Sequence, residues 1–87
     1  MNIETVADFR KAVRMGPYAW PGGYPLYWIT SDGGALSWEV CKTERHNILW
    51  SLHNKVDDGW RVVALDVNYE DDIICDHTGK QIEAAYT

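Results

Sequence analysis

Residues 60–76, WRVVALDVNYEDDIICD, constrain the chain more than any other stretch. The first ten are mostly β-branched, aromatic or aliphatic, with few helix formers, and predict a strand over 60–69. Strand alternation places Trp60, Val62, Ala64, Asp66, Asn68 and Glu70 on one face, and Arg61, Val63, Leu65, Val67 and Tyr69 on the other. Apolar residues occupy both faces as far as Leu65, the pattern of an interior strand covered on both sides. From Asp66 onward one face turns acidic. The strand is therefore expected to leave the core there and to deliver the consecutive Glu70, Asp71 and Asp72 to solvent.

The rest of the chain supplies elements to pack against that strand. Residues 2–15 read as a helix, with Asn2 as N-cap, apolar Ile3, Val6, Ala7 or Phe9, and Val13 at helical spacing, and Gly16-Pro17 as the stop. Residues 18–25 hold three large aromatics, Tyr18, Trp20 and Tyr24, among two prolines and two glycines, a shaped loop rather than a linker. A strand over 24–30, a turn at Asp32-Gly33-Gly34 and a strand over 35–41 form a hairpin, with Leu36, Trp38 and Val40 on one face. Residues 42–55 read as a second helix, capped by Thr43, with Ile48, Leu49, Leu52 and Val56 as its apolar stripe. Asp57-Asp58-Gly59 turns into the long strand. Short strands over 73–76 and 81–83 flank a turn at 77–80. The order αββαβββ predicts an α+β class: two helices packed on a small, mostly antiparallel sheet of four to five strands. Residues 1–87 make one domain.

Such a short chain buries only about 60% of its unfolded surface. Five tryptophans among 13% aromatic residues compensate in part, because each fills much of a small core. The net charge of -5 is unevenly spread. Residues 1–56 hold six Lys or Arg against five Asp or Glu, for +1, and residues 57–87 hold two against eight, for -6. An acidic domain is repelled by nucleic acid and by anionic lipid, so its expected partners are basic surfaces or cations. The N-terminus has no positive n-region followed by an apolar run, and no segment is long and apolar enough to span a bilayer. The two cysteines are expected as free thiols.

The spacing of carboxylates, thiols and imidazoles bears on several chemistries. Asp66, Asn68 and Glu70 offer oxygens at the first, third and fifth positions of a calcium loop. Asp71 stands where that loop needs glycine, and His77 where it needs a bidentate glutamate. Cys75 and His77 with Cys41 make three candidate zinc ligands, but a structural site wants four, in pairs with wider gaps. No signature supports Cys41 with His46, or Cys75 with His77, as a nucleophile pair. No phosphate loop or nucleophile elbow is present. No metal, cofactor or catalytic residue is expected. Trp38, Trp50 and Trp60 fit buried or half-buried positions. The acidic run remains. Held on a rigid strand, same-face carboxylates such as Asp66 and Glu70 would stand at multiples of ~6.7 Å, a ladder of negative charge like a phosphate backbone.

The motifs Trp20-Pro21-Gly22-Gly23-Tyr24-Pro25-Leu26-Tyr27, Asp32-Gly33-Gly34-Ala35-Leu36, Trp60-Arg61-Val62-Val63, Asp66-Val67-Asn68 and Cys75-Asp76-His77-Thr78-Gly79 resemble a group of small phage and prophage proteins related to zinc ribbons. The resemblance covers most of residues 18–86. Those proteins look to carry one Cys-x-x-Cys pair near the second strand and another near the C-terminus. Here Ser37 and Val40 stand at the first pair, with Cys41 one place off, and Thr78 replaces the partner of Cys75. The resemblance implies a mobile-element origin and no defined activity, and the host cytoplasm is the expected location. Small acidic phage proteins often act as inhibitors of host defence, anti-CRISPR proteins among them. The expected function is therefore non-enzymatic. An acidic face would bind the basic, nucleic-acid-binding surface of a host complex such as a CRISPR effector, through Asp66, Glu70, Asp71, Asp72 and Asp76 with Trp20 and Tyr24. A monomer is expected. The alternative is a degenerate zinc-ribbon module with a structural or adaptor role.

Overall fold

A computed structural model describes residues 1–19 and 22–85. In chain order its elements are α1 (Val6–Met15), β1 (Tyr18–Ala19), β2 (Tyr24–Thr30), β3 (Ala35–Ser37), α2 (Val40–Thr43), α3 (Arg45–Asn54) and β4 (Val62–Val67). The class is the expected α+β, two helices of useful length against a four-stranded sheet whose strand pairs are antiparallel.

β2 is the strand on which the others assemble. β3 and β1 share one of its edges, with Trp28 opposite Leu36 and Tyr18 opposite Pro25. β4 takes the other edge, from Leu26 opposite Val67 to Thr30 opposite Val62. The outer edge of β4 is not left open. The Met1 amino group donates to the Leu65 carbonyl (3.0 Å), Leu65 N–H to Met1 O (2.8 Å) and Ile3 N–H to Val63 O (2.8 Å). β4 is thus interior, as expected, though shorter than residues 60–69 and set beside the central strand.

Four expectations about the elements differ from what the structure shows. The first helix begins at Val6 because residues 1–3 are spent on β4. Its N-cap is Thr5, not Asn2: the Thr5 hydroxyl accepts from Asp8 N–H (3.1 Å), and the Asp8 carboxylate accepts from Thr5 N–H (3.2 Å). The strand expected over 35–41 stops at Ser37, because β1 already occupies the next stretch of the β2 edge. The chain turns instead into α2, with Cys41 N–H on the Trp38 carbonyl (3.1 Å). The helix expected over 42–55 is therefore two, broken at Glu44, and Thr43 ends α2 rather than capping α3. Residues 73–76 and 81–83 form no strands. They meet through the single bridge Ile74–Gln81.

The core centres on Trp28, fully buried on β2. Trp38 stacks on it at 4.9 Å and Phe9 of α1 tilts against it at 5.2 Å. The Trp28 indole N–H donates to the Trp38 carbonyl (3.2 Å), so its polar atom is satisfied without leaving the core. Ile48 and Leu52 bring α3 onto the same cluster, and Val62, Leu65, Cys75 and Ile82 complete it. Trp60 is half-buried as expected. Trp50 is not: it points outward from α3 and is 58% exposed.

β4 also corrects the reading of its own pattern. The register slips by one residue between Ile29 and Thr30, leaving Val63 as a bulge. Val62 pairs with Thr30 and Leu65 with Trp28, both on the core face. The apolar residues on both alternating faces reflect one buried face whose phase shifts, rather than a strand covered on both sides.

Candidate functional site: the acidic surface

The acidic run is presented by a loop, because β4 ends at Val67. The regular ladder of carboxylates expected along a strand is therefore not formed. Asn68 holds the loop instead. It is 1% exposed. Its side-chain amide donates to the carbonyls of Asp71 (3.1 Å), Ile82 (3.4 Å) and Glu83 (3.3 Å), and its side-chain oxygen accepts from Asp71 N–H (3.1 Å). Its backbone N–H donates to Pro25 O (3.1 Å) and its carbonyl accepts from Ala85 N–H (2.9 Å). A single buried amide thus ties residues 68–71 to residues 82–85 and to the start of β2. The composition of the stretch signals exposure of Glu70, Asp71 and Asp72. Only the fold identifies Asn68 as what positions them.

Glu70, Asp71 and Asp72 are all exposed, and with Glu83 they rim a shallow cleft of about 600 Å³ floored by Ile82 and Ala84. Asp72 accepts from the Gln81 side chain (2.7 Å). Glu83 was not singled out in the sequence, since it stands alone there. Asp66 is exposed on β4, opposite Tyr27, and accepts from Val67 N–H (2.8 Å). Burial raises the Tyr27 phenol above its ordinary range, and the charges of Asp66 and Asp71 add to that.

Tyr24 belongs to the same neighbourhood. Its ring meets Tyr69 edge-on at 5.3 Å, and it lines a depression with Tyr18, Pro25 and Glu83. Tyr18 is 41% and Tyr69 52% exposed. Tyrosines thus border the carboxylates, with Glu83 lining both depressions. Trp20, the other aromatic expected here, lies outside the described residues.

Asp76 is placed elsewhere. Its N–H donates to Ala35 O (2.9 Å) and its carboxylate accepts from Ala35 N–H (3.3 Å). Ala35 pairs with Ile29, four residues along β2 from the Pro25 that receives Asn68, or about 13 Å. Asp76 shares a third depression with Asp32, Asp58, Trp60 and His77, where the Trp60 and His77 rings lie 5.1 Å apart. Its carboxylate presses on the turn so closely that a β-carbon on Gly34 would collide with it. The acidic half therefore carries two patches, and the expected single face is divided.

The two cysteines are free and buried. Burial, with Glu39 nearby, pushes the Cys41 thiol up to about 11. Burial acts upward on Cys75 too, but hydrogen bonds to its sulfur from Thr78 and Ser37 outweigh it and bring it down to about 7. The Ser37 N–H lies 3.3 Å from that sulfur. Among the described residues, no three His, Cys, Asp or Glu side chains come together in a metal-holding arrangement. No helix among them is long and apolar enough to cross a membrane. No protein-family model, curated protein or solved structure matches the chain.

Proposed function

We propose that the chain is a non-enzymatic binding protein whose acidic, tyrosine-bordered face engages a basic, nucleic-acid-binding surface of a host defence complex, in the manner of an anti-CRISPR inhibitor. The observation that carries this reading is the convergence of Glu70, Asp71, Asp72 and Glu83 with exposed Tyr18 and Tyr69. Tyrosine is enriched at interface centres, where it adds rigid contact area, and fixed charge supplies steering and register. Asn68 removes much of the cost of ordering the loop on binding. The phage and prophage resemblance directs the proposal toward a host defence complex. The host cytoplasm is the corresponding place of action.

The test starts with the chain as bait in a bacterial lysate, followed by titration of the captured complex at two salt concentrations. Replacing Glu70, Asp71 and Asp72 together by Lys is expected to leave the far-UV spectrum unchanged and to weaken binding by several kcal/mol, with slower association. Duplex DNA should compete. Binding that survives the triple change without salt dependence would exclude the charge-based reading.

A second reading has its own observation. Ser37 and Thr78, at the positions where the resemblance implies zinc ligands, both hydrogen-bond the Cys75 sulfur. That arrangement suits a zinc-ribbon relative in which hydrogen bonds replace the metal and the chain serves as a structural adaptor. Under it, the combined variant Ser37→Cys, Val40→Cys, Thr78→Cys binds one zinc per chain. A variant that folds but takes up no zinc would remove this reading.

A further inference from the structure

The acidic chain also carries a concentrated basic feature, away from the residues considered above. α1 and the α2–α3 corner enclose an open groove of about 450 Å³, lined by Phe9, Val13 and Cys41 with Arg10, Arg14, Lys42 and Arg45 around them. The four cations come from two separate stretches: Arg10 and Arg14 stand four residues apart on α1, while Lys42 and Arg45 flank the break between α2 and α3. All four are exposed. Among the described residues, no hydrogen bond or ion pair engages Arg10, Arg14 or Arg45, and Lys42 has only a 3.9 Å contact with Glu39. Arg45 also opens α3, whose N-terminus has no side-chain cap. The positive end of that helix dipole therefore adds to the potential at the rim.

Unpaired guanidinium groups on both walls of an apolar-floored groove are complementary to carboxylates, which Arg binds in a bidentate fork. The floor distinguishes among anions. Phe9 and Cys41 are themselves buried, so the accessible apolar floor is Val13 with the aliphatic stems of the cations around it. A nucleic-acid backbone would place phosphates and sugars over that apolar surface, whereas a peptide can lay an apolar side chain on it. We infer that this groove is a second binding site, for an acidic protein segment carrying an apolar side chain that rests on Val13 and the aliphatic stems of the surrounding arginines while its carboxylates meet Arg10, Arg14 and Arg45. The site is independent of the acidic face and opposite to it in sign.

The probe is a fluorescein-labelled synthetic peptide of Glu and Asp around a central Leu and Phe, followed by anisotropy with the full chain at low and physiological salt. Saturable binding is expected. The double variant Arg10→Glu, Arg45→Glu should weaken it by about tenfold or more. Lys42→Glu is a second variant, beside Arg45 on the α2–α3 wall, and circular dichroism confirms that each remains folded. The triple Lys change at Glu70, Asp71 and Asp72 should leave peptide binding in place, which separates this site from the acidic face. Equal binding of a Gln and Asn version of the peptide, or binding unchanged in both groove variants, would overturn the inference. So would tighter binding of a single-stranded oligonucleotide. Self-association at low salt that the groove variants abolish would assign the groove to a second copy of this chain and overturn it as well.

Discussion

Cys41 and Cys75 share one small core, yet their environments move their thiols in opposite directions, to about 11 and about 7. In the unfolded chain both titrate near 9.0. Between pH 7 and 9 the unfolded chain binds more protons than the folded one at Cys75, so stability rises with pH. The Cys75 contribution is complete above 9 and is lost as pH falls through about 7. Cys41 has the opposite sign: its contribution is present below 9 and is lost as pH rises through about 11. Urea denaturation at pH 7, 8 and 9 should therefore show a rise of at most about 3 kcal/mol that Thr78→Val diminishes and Cys75→Ala removes. Asn68 is the other residue on which much depends. Asn68→Ala leaves the Asp71 N–H and the Ile82 and Glu83 carbonyls without their partner. It should cost about 2–4 kcal/mol by thermal or urea denaturation.

At the scale of elements, β4 is the most informative. A bulge at Val63 lets Val62 and Leu65 face the same core, with Thr30 and Trp28 opposite them. Val62→Asp places a carboxylate where Val62 is fully buried and should abolish cooperative unfolding. Val63 instead borders a groove with Lys55 and Arg61, so Val63→Asp should cost only about 1–2 kcal/mol. Comparable losses in the two variants, measured by thermal denaturation, would mean that the strand lacks the bulge. α1 shows the same dependence on context. Helical spacing extends back to Ile3, yet the free edge of β4 recruits residues 1–3 and leaves Thr5 to cap.

For the whole molecule, the C-terminal segment is part of the domain rather than an appendage. Cys75 and Ile82 lie in the core, Cys75 N–H bonds to Lys80 O (2.9 Å) and Ile82 N–H to Ile73 O (2.7 Å). A chain ending at Tyr69 should therefore lose its near-UV signal, since the cluster around Trp28 and Trp38 would open on that side. Retention of a cooperative near-UV transition in that truncation would show that residues 1–69 hold the core alone. The charge separation evident along the chain becomes a spatial one. One acidic patch comes wholly from the second half, the other joins Asp58 and Asp76 of that half to Asp32 of the first, and the cationic groove comes from the first.

The α+β class, the turn at Asp32-Gly33-Gly34, the interior position of residues 62–67 and the exposure of Glu70, Asp71 and Asp72 are determined by sequence alone. Each depends on local chemistry: β-branched propensity, the positive φ of Gly33, and the hydration of consecutive carboxylates. Tertiary structure decides what depends on partners distant in the chain. It shortens the strand at 35–41 because β1 has taken its place on the edge of β2. It shifts the phase of β4 at Val63, which alternation by itself cannot reveal. It draws Glu83 and Tyr24 to the acidic loop and leaves Asp76 about 13 Å away along β2, because Asn68 and Ala35 hold the C-terminal segment at two separate points. Side-chain periodicity encodes which face of an element is buried, whereas the site depends on which backbone groups, remote in sequence, find each other.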